Sequence, residues 1–207
     1  MALHQIQGLL EGLTKPHPAN TASEPPLKGP DRRPEMLALH DGLHQCVTGD
    51  MTVAIESFQR AYILYKQAGD KRSASLAQQA VGLCLDGIQK PDEVRTAYKK
   101  AIRLLHLAVM PEEAARLLSK LAHYEFSQGT IREAVRYLDA ALGLYREIVN
   151  PVGQIETLCQ YAALELDGGL RNQAHDHACE ALGLVDRVDD VNTYEKLRDR
   201  VDRLMVA

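Results

Sequence analysis

The chain has 207 residues, 45% of them hydrophobic and 25% charged. That length suits one ordinary domain or a short run of repeats, and that composition excludes a disordered or membrane-embedded protein. A formal net charge of −4, no Trp and only two Phe leave neither the basic footprint nor the aromatic platform that nucleic-acid binding uses.

The first segment, MALHQIQGLLEGLTK, lacks the basic start and unbroken apolar run of a secretory signal. No stretch of the chain approaches the ~18 apolar residues of a membrane span. Cytoplasm is the expected compartment, with the nucleus as an alternative. Leu3, Ile6, Leu10 and Leu13 fall on one helical face, with Leu9 beside it, so residues 1–15 read as a short amphipathic segment. Residues 16–34 hold six of the nine prolines and few apolar side chains. Such a stretch buries too little surface to offset its ordering entropy and reads as a flexible linker.

From residue 35 onward, apolar residues recur at i, i+3, i+4 and i+7, broken by short Gly, Asp, Pro or Asn punctuation. The chain also repeats itself every forty residues. Ala54, Val94, Ala134 and Ala174 form one series; Ala61, Ala101, Ala141 and Ala181 form a second; Leu64, Leu104, Leu144 and Leu184 form a third. A small residue recurs at Gly42, Gly82, Ala122 and Ala162, and a turn position at Gly49, Gln89, Gly129 and Gly169. Pro111 and Pro151 each open a helix, where a missing N–H costs nothing. The pattern predicts helix pairs at about 35–48 with 51–68, 72–88 with 92–109, 111–128 with 131–149, and 151–168 with 171–187. Small residues let the helices of a pair approach closely. Phe58, Tyr98 and Leu138 are expected to fill the space between neighbouring pairs, and Ala178 leaves the last copy less filled. One pair cannot bury its apolar face, so the pairs must stack.

The tail, residues 191–207, supplies a ninth helix as a cap. Asn192 with Glu195 resembles a capping box. Leu197, Val201 and Leu204 give this helix one apolar stripe, with Arg198, Arg200 and Arg203 largely outside it.

These residues resemble the tetratricopeptide family, whose helix-turn-helix unit carries a bulky–small pair on its first helix and Ala–x3–aromatic–x2–Ala on its second. Here that reads Leu121-Ala122 with Ala134, Leu138 and Ala141, and Gly42 with Ala54, Phe58 and Ala61. The resemblance covers residues 35–187. Departures are the absent leading Trp, Lys66, His106 and Arg146 in place of a late proline, and Asp41 where a Leu is expected. The forty-residue period looks like the longer variants in Leu-Gly-Asn repeat proteins and kinesin light chains. The implied fold is an all-α, right-handed α-solenoid of four such pairs over residues 35–190 plus the capping helix. The implied function is that of an adaptor binding a peptide or amphipathic helix of another protein in a concave groove.

Carrying the family's groove positions across names Met36, Leu39, Leu43 and Cys46 in the first repeat. The second offers Leu76, Gln79, Leu83 and Asp86. The third gives Arg116, Ser119, His123 and Phe126, with Lys120 beside Arg116, and the fourth Glu156, Cys159, Ala163 and Leu166. The first half of this face is apolar and the second mixed. The apolar half needs cover, from a partner's helix or from residues 1–15 across a linker reaching on the order of 25 Å. One subclass clamps a C-terminal carboxylate. Here only the basic pair Arg116 and Lys120 matches, since Leu39, Leu43 and Ala80 replace the other donors. The alternative function is a subunit of a larger complex, binding through its convex face or end repeats.

Other constellations are bland by comparison. His40 with His44 and His175 with Cys179 have the i, i+4 spacing of metal ligands, but a site needs three or four, so surface histidines are expected. Cys46, Cys84, Cys159 and Cys179 stand far apart and read as reduced thiols. Arg95, Lys99 and Arg103 on one helix face read as a solvated charge run. No phosphate-binding or nucleophile motif occurs, so neither a cofactor nor catalysis is expected.

Overall fold

A computed structural model describes residues 33–206, together with Gly8. Residues 1–15 and the linker up to residue 32, with the roles expected of them, otherwise lie outside the described residues. The described residues form nine helices and no strand: α1 (Pro34–Thr48), α2 (Met51–Gln67), α3 (Lys71–Gly87), α4 (Pro91–Leu107), α5 (Pro111–Ser127), α6 (Ile131–Glu147), α7 (Pro151–Asp167), α8 (Arg171–Val185) and α9 (Val191–Val206). Pro34, counted with the linker from its neighbouring prolines, is the first residue of α1.

The helices are punctuated more finely than the forty-residue repeat suggests. Left-handed backbone recurs at Gly49, Gly69, Gln89, Val109, Gly129, Val149 and Gly169, every twenty residues. At most of these turns the next amide reaches back to the last helical turn, as in Asp50 N to Gln45 O, Lys90 N to Leu85 O and Leu170 N to Glu165 O. This closure satisfies carbonyls that the helix end would otherwise orphan. Glycine takes the conformation freely. Val109 at φ 57° and Val149 at φ 53° do so at a cost of about 1–2 kcal/mol each. Helix starts are capped by Asp50, Asp70 and Asn150, which accept from the amides of Val53, Ser73 and Gly153. Prolines sit at the first turns of α1, α4, α5 and α7.

The chain divides into two compact units, Met1–Val109 and Met110–Ala207. In the first, α1 packs on α2, α2 on α3, and α3 on α4. Its most enclosed element is α3, where every residue from Ala77 to Leu85 is buried. The bulky residues do not simply fill space between pairs. The ring of Phe58 on α2 lies over Gly42 of its own pair partner, and Tyr98 on α4 lies over Gly82. Glycine admits a ring there, and the later pairs match Ala122 with Leu138 and Ala162 with Ala178.

In the second unit α5 packs on α6, α6 on α7 and α7 on α8, while α9 lies against both α7 and α8. The space left by Ala178 is filled from α9: Leu204 and Met205 pack against Ala162, Ala174 and Ala178. Leu197 and Val201 are buried as the stripe predicts, and Arg198, Arg200 and Arg203 are exposed. The start of α9 differs from expectation. Asp190, not Asn192, accepts the amide of Thr193 at 2.8 Å, because the chain turns helical at Val191, two residues earlier than a cap at Asn192 requires.

The ring-over-glycine contact yields a direct test. A Cβ at Gly42 would stand 2.7 Å from the Phe58 ring, so Gly42→Ala is expected to destabilise the protein by about 1–3 kcal/mol. Gly143→Ala, in a helix with nothing within 4 Å of the added carbon, should be neutral or stabilising by up to ~1 kcal/mol. Urea unfolding midpoints of the two variants would separate the effects.

Candidate functional site

The groove positions differ sharply in what they leave open. On α1, Leu39 and Cys46 are buried, while Met36 and Leu43 keep part of their surface. Met36 is fixed from below, its Sδ accepting the Tyr65 hydroxyl at 2.9 Å. On α3, Gln79 and Leu83 are buried and Leu76 is half-buried. The Gln79 amide donates to Ser75 Oγ at 3.4 Å, and Ser75 donates to the Ala101 carbonyl at 3.1 Å. The surface these two helices offer is therefore narrower than the list of positions: Met36, Leu43 and Leu76 with Asp86 exposed beside them.

The second unit presents a more open and polar face. Arg116, Lys120 and His123 on α5 are exposed, as are Glu156 and Ala163 on α7. Arg116 makes an ion pair with Glu112 at 2.8 Å, and so exposed a pair contributes little to stability. Phe126 and Leu166 are half-buried, Phe126 packing on the core that includes Leu138 and Leu158. Cys159 is fully buried in that core, and burial pushes its thiol above the usual range. Ser119 is buried with its hydroxyl unpartnered.

The other expected features also find their places. Arg95 pairs with Asp92, and Lys99 and Arg103 are exposed. His40 and His44 are exposed, and Cys179 lies 3.5 Å from His175 on the surface. No group of three or more metal-ligating side chains occurs among the described residues.

Sequence reasoning missed a polar cluster in the second unit. The Tyr161 hydroxyl donates to Asp139 at 2.5 Å and lies 3.2 Å from the Val135 carbonyl. His177 stacks on the Tyr161 ring at 4.7 Å, with Nδ1 2.7 Å from the buried Glu165 carboxylate. Burial, and then the bond to Asp139, push the Tyr161 phenol far up, so it stays a donor at any ordinary pH. Forty residues before Glu165, Glu125 is also buried, accepting from the Thr130 hydroxyl. That spacing was the available signal. Each carboxylate is tied to the turn or helix that follows it, which gives the cluster a structural use.

Lys120, on the same face of α5 as Arg116, carries a perturbed charge. It is exposed by area yet surrounded closely enough that desolvation, aided by the adjacent Arg116, holds its amine below the ordinary lysine range. More of it is therefore in the nucleophilic neutral form at a given pH. Limited acylation at about pH 8 should label Lys120 faster than a free lysine amine of ordinary pKa added as an internal standard, as read by peptide mass spectrometry. The preference should shrink as pH approaches the ordinary lysine pKa of about 10.4.

No family model matches the chain, and no curated protein matches it. Solved structures do match in shape. The TPR-like repeats of a kinesin light chain-type protein of Podosopora anserina align with a TM-score of 0.56 at 10% identity, over 84% of this chain and 96% of that one. MamA aligns at 0.54 and 17% identity, over 89% of this chain and 87% of that one. BtubC from P. vanneervenii aligns at 0.58 and 15% identity, over 97% of this chain and 74% of that one. Identities this low speak for the fold alone, and on that ground the chain has the all-α solenoid fold of TPR-like repeat proteins.

Proposed function

We propose that the protein is a non-catalytic adaptor that holds a peptide or amphipathic helix of another protein against the first helices of its repeats. The observation that carries this reading is the retained apolar surface of Met36, Leu43 and Leu76, on a fold whose stacked pairs present such faces. The partially exposed side chains suit the ridge of an amphipathic helix. Within the first unit Leu39, Gln79 and Leu83 act from beneath by fixing the surface; the second unit, taken by itself, offers the exposed Arg116, Lys120 and His123 to polar or acidic groups. The net charge of −4 favours a protein ligand over nucleic acid. No described helix is long and apolar enough to cross a membrane, and a cytoplasmic or nuclear setting is the one we favour.

A second reading has its own observation. Ile63 on α2 and Leu107 at the end of α4 are 52% and 55% exposed, apolar surface away from the first helices. These residues would serve a subunit that attaches to a larger complex through its outer helices. In either case residues 1–15 are well suited to regulate, since their apolar face could occupy the same surface as a partner helix.

Site-specific photocrosslinking separates these readings. A photoreactive residue at Leu43 or Lys120 should capture partner peptides in cells, and Leu43→Arg should weaken partner binding by at least ~10-fold while leaving helical circular dichroism intact. Capture from Ile63 alone, with binding unaffected by Leu43→Arg, would move the interface to the outer helices. Removing residues 1–32 should tighten partner binding several-fold if that segment competes for the surface. Unchanged affinity would remove its regulatory role and leave the adaptor reading standing.

A further inference from the structure

The first unit contains a pair of thiols that no part of the proposed binding role uses. Cys46, near the end of α1, and Cys84, near the end of α3, place their sulfur atoms 3.4 Å apart. Both are free and buried. The two positions are 38 residues apart in sequence and belong to the first helices of consecutive pairs. The other two cysteines provide an internal contrast, since Cys159 lies in the core of the second unit and the exposed Cys179 contacts His175 and Met205 Sδ.

We propose that Cys46 and Cys84 are a redox modification site: a small peroxide oxidises them to an intramolecular disulfide that staples α1 to α3. The Cys46 sulfur attacks one peroxide oxygen, the O–O bond breaks, and the departing hydroxide takes the Cys46 proton to leave as water, giving a sulfenic acid on Cys46. The Cys84 sulfur then attacks that sulfur, the new S–S bond forms, the S–O bond breaks, and the hydroxide departs as water with the Cys84 proton. In sum, two thiols and one hydrogen peroxide give one disulfide and two waters. Either sulfur can donate in the contact the two thiols share, and that contact lowers the Cys46 thiol against the opposing effect of burial. We take Cys46 as the nucleophile and Cys84 as the resolving thiol, an order that trapping of the sulfenic acid tests.

The site deepens the adaptor reading without depending on it for its test. Leu39 and Leu43 lie on the helix of Cys46, and Leu76 and Leu83 on that of Cys84. A bond between those helices would fix the spacing of the apolar face. Formation of the bond is read by chemistry alone, and its effect on partner affinity is a separate measurement.

The full chain is treated with graded hydrogen peroxide and its thiols are followed by differential alkylation and peptide mass spectrometry. The expected result is a linked pair of peptides containing Cys46 and Cys84, reversed by dithiothreitol, with Cys159 still reduced. The unfolding transition of the first unit should rise by roughly 5–10 °C on oxidation, since the bond closes a long loop. Cys84→Ser should stop the linkage and trap sulfenic acid on Cys46, detectable with a dimedone probe; Cys46→Ala gives a second variant should the first fold poorly. Cys46 and Cys84 both remaining reduced while Cys179 oxidises would overturn the proposal. So would linkage through Cys179 between molecules in their place, or a transition unmoved or lowered by oxidation.

Discussion

The contact on which the helix pairs depend is a side chain of matched size seated on a small residue of the facing helix. Phe58 over Gly42 and Tyr98 over Gly82 bring the two backbones of a pair close enough for the alanine series beside them to pack without gaps. Close packing is unforgiving in both directions, because an added methylene strains the pair and a removed one leaves a void. The first unit solves the problem with rings on glycine. The second solves it with smaller partners, and its final pair, with Ala162 and Ala178, stays incomplete until Leu204 and Met205 of α9 close it. The terminal helix is therefore part of the last core as well as a polar end for the stack.

That arrangement bears on where binding surface remains. Residues near the pair interface are drawn into the core, which is why α3 is enclosed along most of its length. What stays available is the partial surface of Met36, Leu43 and Leu76 in one unit and the polar set on α5 in the other. The perturbed amine of Lys120 and the buried carboxylates of Glu125 and Glu165 belong to two different situations. The carboxylates are satisfied by Thr130 and His177; the amine is a charge held in poor solvation, which an anionic ligand group would improve.

Much of the fold was legible because the repeat is kept so regularly. Helix positions, the small-residue sites and the apolar stripe of α9 all follow from spacing. The start of α9 was misread because Asp190 and Asn192 are both good caps, and only the backbone path selects between them. The second series of left-handed turns was hidden because Val109 and Val149 violate the glycine preference by which such turns are recognised. The face of the candidate site was less legible than the fold. Register places Leu39, Gln79 and Leu83 toward a groove, but register does not report depth. Neither the Tyr161–Asp139 bond nor the approach of Cys46 to Cys84 is visible in spacing, since each joins residues from separate helices.

The twenty-residue recurrence of the turns has an evolutionary reading. With nearly every helix the same length and most turns closed in the same way, equivalent points along the chain share one local structure. A recombination joining Ala54 to the residue after Ala134 would remove two pairs and keep the remaining turns in register, but it would set Leu138 opposite Gly42, where Phe58 now fits. A change of length by whole pairs keeps the register, while a single-residue insertion inside a helix rotates its face by about 100°. The strained valines mark turns whose conformation is imposed by the helices on either side and not by the residue at the turn.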